Sequence, residues 1–256
     1  MTFPKYFTSC FQLFVFLSIL LTAACQSTPE EIEIKFKTPS RIVGMKPMVL
    51  IPKGSSQLGS EEGFEDEKPV RKISIPAFYM DETPITYADF KKYVAEGGNK
   101  SAYWKYDTYN QDSQPVTGLN WYHAIDFCNW RSAKEGLQSV YEKVEGYDVW
   151  NHPKWKRNPK ANGYRLPTEA EFEYAARGGL SKKKYPWGND FDDSFANYDN
   201  EQGVMVGDWC RLAGVNEGKQ NSFGLYNMSG NIWHWCDSWY GSYNSRDTLN
   251  PQGAKS

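Results

Sequence analysis

The chain has 256 residues, with 29 Lys and Arg set against 31 Asp and Glu for a formal net charge of −2. A near-neutral balance without a Lys/Arg stripe excludes a nucleic-acid binder that works by neutralising phosphates. Aromatic residues make up 16% of the chain, enough to furnish a substantial core, whereas five cysteines are too few for a disulfide scaffold.

The N-terminus reads as an export signal over residues 1–24. Lys5 supplies a thin positive start, and Phe11 to Ala24 is almost continuously apolar. That run is shorter than the roughly 20 residues a membrane-spanning helix needs. Leu21-Thr22-Ala23-Ala24 before Cys25 is similar to a bacterial lipobox, with Thr22 where leucine is usual. Cys25 is therefore expected to be acylated and to anchor the protein at the outer membrane or cell surface. The alternative is a cleaved signal, a chance cysteine and a soluble periplasmic protein. Residues 25–45, polar and containing Pro29 and Pro39, read as a tether. Residues 46–256 fit one domain.

Within that domain Met48 to Pro52 reads as a strand leading into turns at Gly54 and Gly59. Arg71 to Ile75 alternates as a half-buried strand does, and Ala77 to Met80 continues as an extended segment. Thr86 to Ala95 predicts a helix with Phe90, Tyr93 and Val94 on one face and Lys91 and Lys92 on the other. Asn120 can cap a second helix, in which Trp121, Ala124, Ile125 and Cys128 recur at helical spacing toward Gly136. The polar stretch from Tyr141 to Asn162 reads as an irregular insertion. Thr168 and Glu171 form a capping box for a third helix, with Phe172, Ala175 and Ala176 toward the core and Gly178 at its end. Beyond Lys184 turns, glycines and tryptophans dominate, and there are no internal repeats.

Setting aside Cys10 and Cys25, three cysteines remain, Cys128, Cys210 and Cys236, so at most one intrachain bridge forms. Cys128 is expected to be a small buried hydrophobe. Cys210 and Cys236 either bridge each other or stay thiols. No Cys/His spacing suggests zinc, and His123, His152 and His234 lie far apart in sequence. Trp233 and Trp235 are expected to bury their rings, with stacking on a sugar or peptide as the alternative. The acidic run Glu61 to Glu67 reads as a solvated loop.

A series of motifs in fixed order points further. Met48-Val49-Leu50-Ile51-Pro52, Asp66-Glu67-Lys68-Pro69 and Met80-Asp81-Glu82-Thr83-Pro84 are followed by Pro115-Val116-Thr117-Gly118 and Arg165-Leu166-Pro167-Thr168-Glu169-Ala170-Glu171. Then come Tyr185-Pro186-Trp187-Gly188-Asn189, Phe195-Ala196-Asn197-Tyr198, Gly224-Leu225-Tyr226-Asn227-Met228-Ser229-Gly230-Asn231-Ile232-Trp233-His234-Trp235 and Leu249-Asn250-Pro251-Gln252-Gly253. From about Met48 onward this order resembles the formylglycine-generating enzyme (sulfatase-modifying factor) family. The resemblance implies an α+β, C-type-lectin-like fold with a small twisted sheet, few helices and much irregular structure. Active members oxidise a sulfatase cysteine to formylglycine, using molecular oxygen and a copper ion held by two cysteines. Those cysteines follow the turn matched here by Asn250 to Gly253. The domain is thus expected to lack its C-terminal part. Cys128, Cys210 and Cys236 do not stand at those positions, so no catalytic residue is assigned and copper is not expected.

The resemblance also implies calcium as a cofactor. Asn197 and the Tyr198 carbonyl match part of one site, with Asp208 the nearest later candidate. Asn227 with the carbonyls of Gly230 and Ile232 matches a second, where His234 replaces the expected carboxylate. The leading expectation is an exported, lipid-anchored module that binds an unknown protein partner or serves as a scaffold without catalysis. The alternative is a fragment of an active oxidase. Lectin-like carbohydrate binding ranks third, because the sequence has neither a Glu-Pro-Asn nor a Gln-Pro-Asp tripeptide.

Overall fold

The computed structural model describes residues 37–38, 45, 47–148, 151–190, 192, 195–197, 212–244 and 246–254. The expected signal segment, Cys25, Tyr198, Asp208 and Cys210 lie outside these residues. The fold is the expected mixture of small antiparallel sheets, short helices and irregular backbone. Strands β1 (Lys37–Thr38), β2 (Met48–Ile51) and β5 (Phe78–Asp81) form a three-stranded antiparallel sheet in the order β1-β2-β5. Met48 stands opposite Asp81 and Ile51 opposite Phe78. β3 (Gly54–Leu58) pairs antiparallel with β4 (Arg71–Ile75), whose alternate residues Arg71, Ile73 and Ile75 are buried as the sequence pattern requires.

The helices begin where their caps predict. In α1 (Tyr87–Ala95) the Asp89 N–H donates to the Thr86 hydroxyl at 3.0 Å. In α2 (Trp121–Lys134) the His123 N–H donates to Asn120 Oδ1 at 2.9 Å. In α3 (Glu169–Arg177) the capping box is complete: Glu171 N donates to Thr168 Oγ1 at 3.1 Å and Thr168 N to Glu171 Oε2 at 2.9 Å. Gly178 ends α3 at φ 57°, a left-handed conformation that glycine adopts without the penalty a Cβ brings. The buried residues of α3 are Ala170, Glu171, Tyr174 and Ala175, so Phe172 and Ala176 sit at the margin of the core rather than in it.

One expectation is corrected. The stretch taken for an irregular insertion holds a β-ladder, β6 (Tyr141–Tyr147) with β7 (Pro153–Arg157), broken by a register shift between Lys143 and Tyr147. Only Tyr141 of β6 is buried. A hairpin wetted on both faces has no alternation to reveal it.

The core is divided. Ile51, Leu58, Ile73, Ile75, Tyr174 and Leu225 join the first two sheets to α3. Ile125, Cys128, Val140 and Tyr141 tie α2 to the hairpin. Phe90, Tyr93 and Phe127 join α1 to α2, with Phe90 and Phe127 stacked at 5.6 Å. Each fully buried side chain of this size contributes about 1.5–3 kcal/mol. Among the described residues no helix is long and apolar enough to cross a membrane.

Candidate functional site

β5, the inner face of α2, the segment Tyr164–Pro167 and the segment Tyr226–Trp235 enclose a cleft of about 480 Å³. Its position follows from the elements around it. β5 is the last strand of its sheet, and α2 turns Cys128 and Arg131 inward one helical turn apart. The Tyr164–Pro167 segment precedes the α3 cap.

Charges lie at the base of this cleft. Arg131 is only 1% exposed; its Nη1 donates to both Asp81 oxygens at 2.9 and 2.7 Å, and its guanidinium lies over the Tyr164 ring at 3.9 Å. Arg165 grips Glu171 with two hydrogen bonds, at 2.6 and 2.8 Å. Burial alone would raise the Glu171 pKa, but the Arg165 hydrogen bonds and charge together with the Thr168 N–H outweigh it and lower it. Behind them the Tyr141 hydroxyl donates to Asp237 at 2.9 Å and accepts from the Leu166 N–H at 3.0 Å. Asp237 also faces Arg157 at 3.1 Å, yet burial dominates and pushes its carboxyl up.

The glycine- and asparagine-rich segment forms one wall. Asn227, Gly230 and Asn231 have φ of 53°, 83° and 67°. A Cβ on Gly230 would lie 2.5 Å from the Asn197 carbonyl oxygen, so glycine is required there. Asn231 holds the corner: Oδ1 accepts from Ala213 N at 2.9 Å and from Asn197 Nδ2 at 3.0 Å, while Nδ2 donates to Ala213 O at 3.2 Å. The structure therefore brings Asn197 beside Gly230 and Asn231, two regions distant in sequence. Asn227 Nδ2 donates to Val215 O at 2.8 Å.

His234 is held by a hydrogen bond. Its Nε2–H donates to the Asn227 carbonyl at 3.0 Å, and its ring lies against Phe172 with centroids 5.0 Å apart. Burial lowers its pKa against the opposing hydrogen bond, which favours the neutral ring. The Gly230 carbonyl meanwhile accepts from the Ile232 N–H at 2.9 Å. As arranged, Asn227, Gly230, Ile232 and His234 offer a cation no carboxylate, and the histidine supplies nitrogen where a hard ion prefers oxygen, so these four are a poor fit to calcium.

Cys128 is buried, as expected, and both it and Cys236 are free thiols. Burial pushes each up to about 12, with nearby carboxylates adding to it. The tryptophans depart from expectation. Trp233 is 100% exposed and Trp235 49%, because the left-handed corner at Asn231 turns the chain outward and the His234 ring packs inward. Trp239 and Tyr240 are also exposed. Sequence reading missed Arg131, Asp81, Arg165 and Asp237. The one available signal was Arg131 itself, a charged residue in line with Ile125 and Cys128 on the apolar face of α2.

The family described as Sulfatase-modifying factor enzyme 1-like domain matches residues 36–255. Among curated relatives, the formylglycine-generating enzyme of Bos taurus is 31% identical over 85% of this chain and 66% of its own length. The inactive C-alpha-formylglycine-generating enzyme 2 of Bos taurus is 32% identical over 75% of this chain and 71% of its own. The chaperone protein LppX of Paenibacillus barcinonensis is 31% identical over 75% of this chain and 71% of its own. This chain thus spans just under two thirds of the bovine formylglycine-generating enzyme. Among solved structures, Treponema denticola variable protein 1 superposes with a TM-score of 0.66 at 26% identity, over 85% of this chain and 82% of that one.

Proposed function

The chain belongs to the sulfatase-modifying factor enzyme 1-like domain family, and from that premise we propose that it is an exported, lipid-anchored protein whose domain binds a protein partner without oxidising it. One observation carries the reading. Cys128 and Cys236, the two described cysteines of the domain, are thiols held protonated by burial, with pKa values pushed up to about 12. Copper(I) takes soft thiolate ligands; burial works against ionising either thiol, and neither stands at the position that the resemblance gives the family's copper-binding cysteines.

Two further features support a binding role. Trp233, Trp235, Trp239 and Tyr240 present large aromatic side chains to solvent, and rings of this kind are enriched among residues that dominate protein interfaces. An inactive formylglycine-generating enzyme and a chaperone protein stand among the relatives. Anchoring through Cys25 is supported by the apolar run and small residues before it. For calcium, the position we favour is Asn197 with the Tyr198 carbonyl, since the Asn227 loop is closed by the His234 N–H.

The test uses the full chain made in a bacterium. A photo-crosslinking amino acid at Trp239 is expected to capture a discrete partner, and Trp233→Ala is expected to weaken that capture. Cys25→Ala is expected to abolish palmitate labelling. Purified protein supplied with copper and oxygen is expected to leave the thiol of a sulfatase-derived cysteine peptide intact. Conversion of that cysteine to an aldehyde would overturn the non-catalytic reading in favour of the oxidase. The oxidase is the second reading because of the identity to the bovine formylglycine-generating enzyme.

A further inference from the structure

The Asp237 carboxylate joins separate parts of the domain. Tyr141 of β6 donates its hydroxyl to Oδ1 at 2.9 Å, and Arg157 of β7 places Nε 3.1 Å from Oδ2. The Asp237 N–H donates to the Pro167 carbonyl at 2.7 Å, which fixes the residue against the segment before α3. Arg157 also donates from Nη1 to Gln252 Oε1, so one guanidinium reaches both ends of the chain beyond Trp235. Asp237 thus stands where the β6–β7 hairpin meets residues 236–254.

Two carboxylates lie in this region, and they are held differently. Glu171 accepts twice from Arg165 and once from the Thr168 N–H. Among the described residues the Asp237 carboxylate accepts one hydrogen bond, from Tyr141, and the Arg157 Nε–H is not aligned to give a second. Its side chain is only 5% exposed. A buried carboxylate short of donors favours its neutral form, and burial accordingly raises the Asp237 pKa above the ordinary value. The other titratable groups facing it are Arg165 and Glu171 beside α3, and the Cys128 and Cys236 thiols, which burial pushes up to about 12. Acid therefore reaches Asp237 before Glu171, whose pKa is lowered.

Protonation has a mechanical consequence. A neutral carboxyl keeps its bond to the Tyr141 hydroxyl but no longer offsets the Arg157 charge. The Arg157 side chain is 29% exposed, so its guanidinium can turn to water, and in turning it gives up Gln252. We propose that Tyr141, Arg157 and Asp237 form a proton-sensitive clasp, which ties the β6–β7 hairpin to residues 236–254 and opens when Asp237 takes up a proton. Trp239 and Tyr240 follow closely on Asp237, so opening changes how these exposed rings are presented. That last step rests on the binding role proposed above; the clasp itself does not.

The experiment measures amide hydrogen exchange of the full chain from about pH 7 to about pH 4, as protection relative to unstructured peptides at the same pH. Protection of β7 and residues 246–254 is expected to fall about two- to fivefold toward acid, while the first turn of α3 holds. Asp237→Asn, close in shape and never charged, is expected to show the low level at every pH. Arg157→Gln opens the clasp from its partly exposed side and is expected to do the same, so the test does not hang on one variant. A wild-type profile without pH dependence, or an Asp237→Asn profile that still falls with acid, would overturn the clasp. Urea midpoints separate it from a plain structural anchor. Because the folded-state pKa of Asp237 is raised, the cost of its charge is absent below the ordinary 3.8 and complete above the folded-state value. Asp237→Asn is therefore expected to keep or raise the midpoint at pH about 7 while loosening the hairpin. A midpoint lowered in step with the protection would overturn the proton-sensitive role. Crosslinking at Trp239, repeated at both ends of the pH range, reads the effect on binding separately, so the lack of a partner would sink the binding role and leave the clasp standing.

Discussion

The start of α3 and the Asn227–Asn231 corner face the same difficulty, backbone groups turned away from regular partners, and they meet it at different ranges. At α3 the remedy is local. Thr168 and Glu171 lie three residues apart and satisfy each other's backbone N–H, and Arg165 six residues from Glu171 completes the arrangement. At the corner, Asn231 reaches 18 residues to Ala213 and 34 to Asn197, and Asn227 reaches 12 to Val215. Local bonds form as soon as a turn of helix forms. The asparagine bonds exist only once separate segments have been brought together, so they report on the packed domain.

Substitutions can break this comparison. The largest effect is expected at Glu171, which is 1% exposed and joins the cap to Arg165. Glu171→Ala leaves the guanidinium without its partner and should cost roughly 3–5 kcal/mol in urea denaturation. The same carboxylate carries a pH signature. Its pKa in the folded chain lies below the ordinary 4.5, so on acidification the unfolded chain binds this proton first. Its stabilisation is full above 4.5 and is lost as pH falls through the folded-state value. The gap between wild type and Glu171→Gln in denaturation midpoints should therefore narrow as pH drops below 4.5.

Asn231→Ala comes next. It removes three hydrogen bonds and places a Cβ-bearing residue without a helpful side chain at φ 67°, for a cost of about 2–3 kcal/mol. Asn231→Gly keeps the backbone conformation and loses the bonds, so it should recover only part of that loss in the same assay. Hydrogen exchange would sharpen the contrast, because Asn231→Ala should speed exchange at Ala213, far along the chain, and leave the α3 cap unchanged. Thr168→Ala should cost about 0.5–2 kcal/mol and confine its exchange effects to the first turn of α3. Trp233→Ala is expected to shift stability by no more than about 0.5 kcal/mol, since the side chain is fully exposed. A large loss there would mean the ring packs against something the fold requires.

The same division between near and far explains what could be read in advance. The caps at Thr86, Asn120 and Thr168 and the glycine at Gly178 are local chemistry, and the helices begin at those caps. The alternation of Arg71 to Ile75 predicts its buried face for the same reason. The β6–β7 hairpin was illegible because its residues beyond Tyr141 meet water and carry no apolar period. Trp233 misled because a large aromatic ring usually turns inward, and here the left-handed corner at Asn231 reverses it. The motif series from Met48 onward identified the family before any contact was known, since it depends on residue order alone.

By itself the sequence determined the family, through the order of motifs along the domain, and the helix boundaries and the burial of Cys128, set by neighbours within a turn or two of chain. Only the tertiary structure decided that Arg131 pairs with Asp81 beneath a cleft, that Asn197 comes beside Asn231, and that His234 turns in while Trp233 turns out. Each of these depends on segments separated by tens of residues. Their meeting is settled by how the whole chain packs, and local preference carries no record of it.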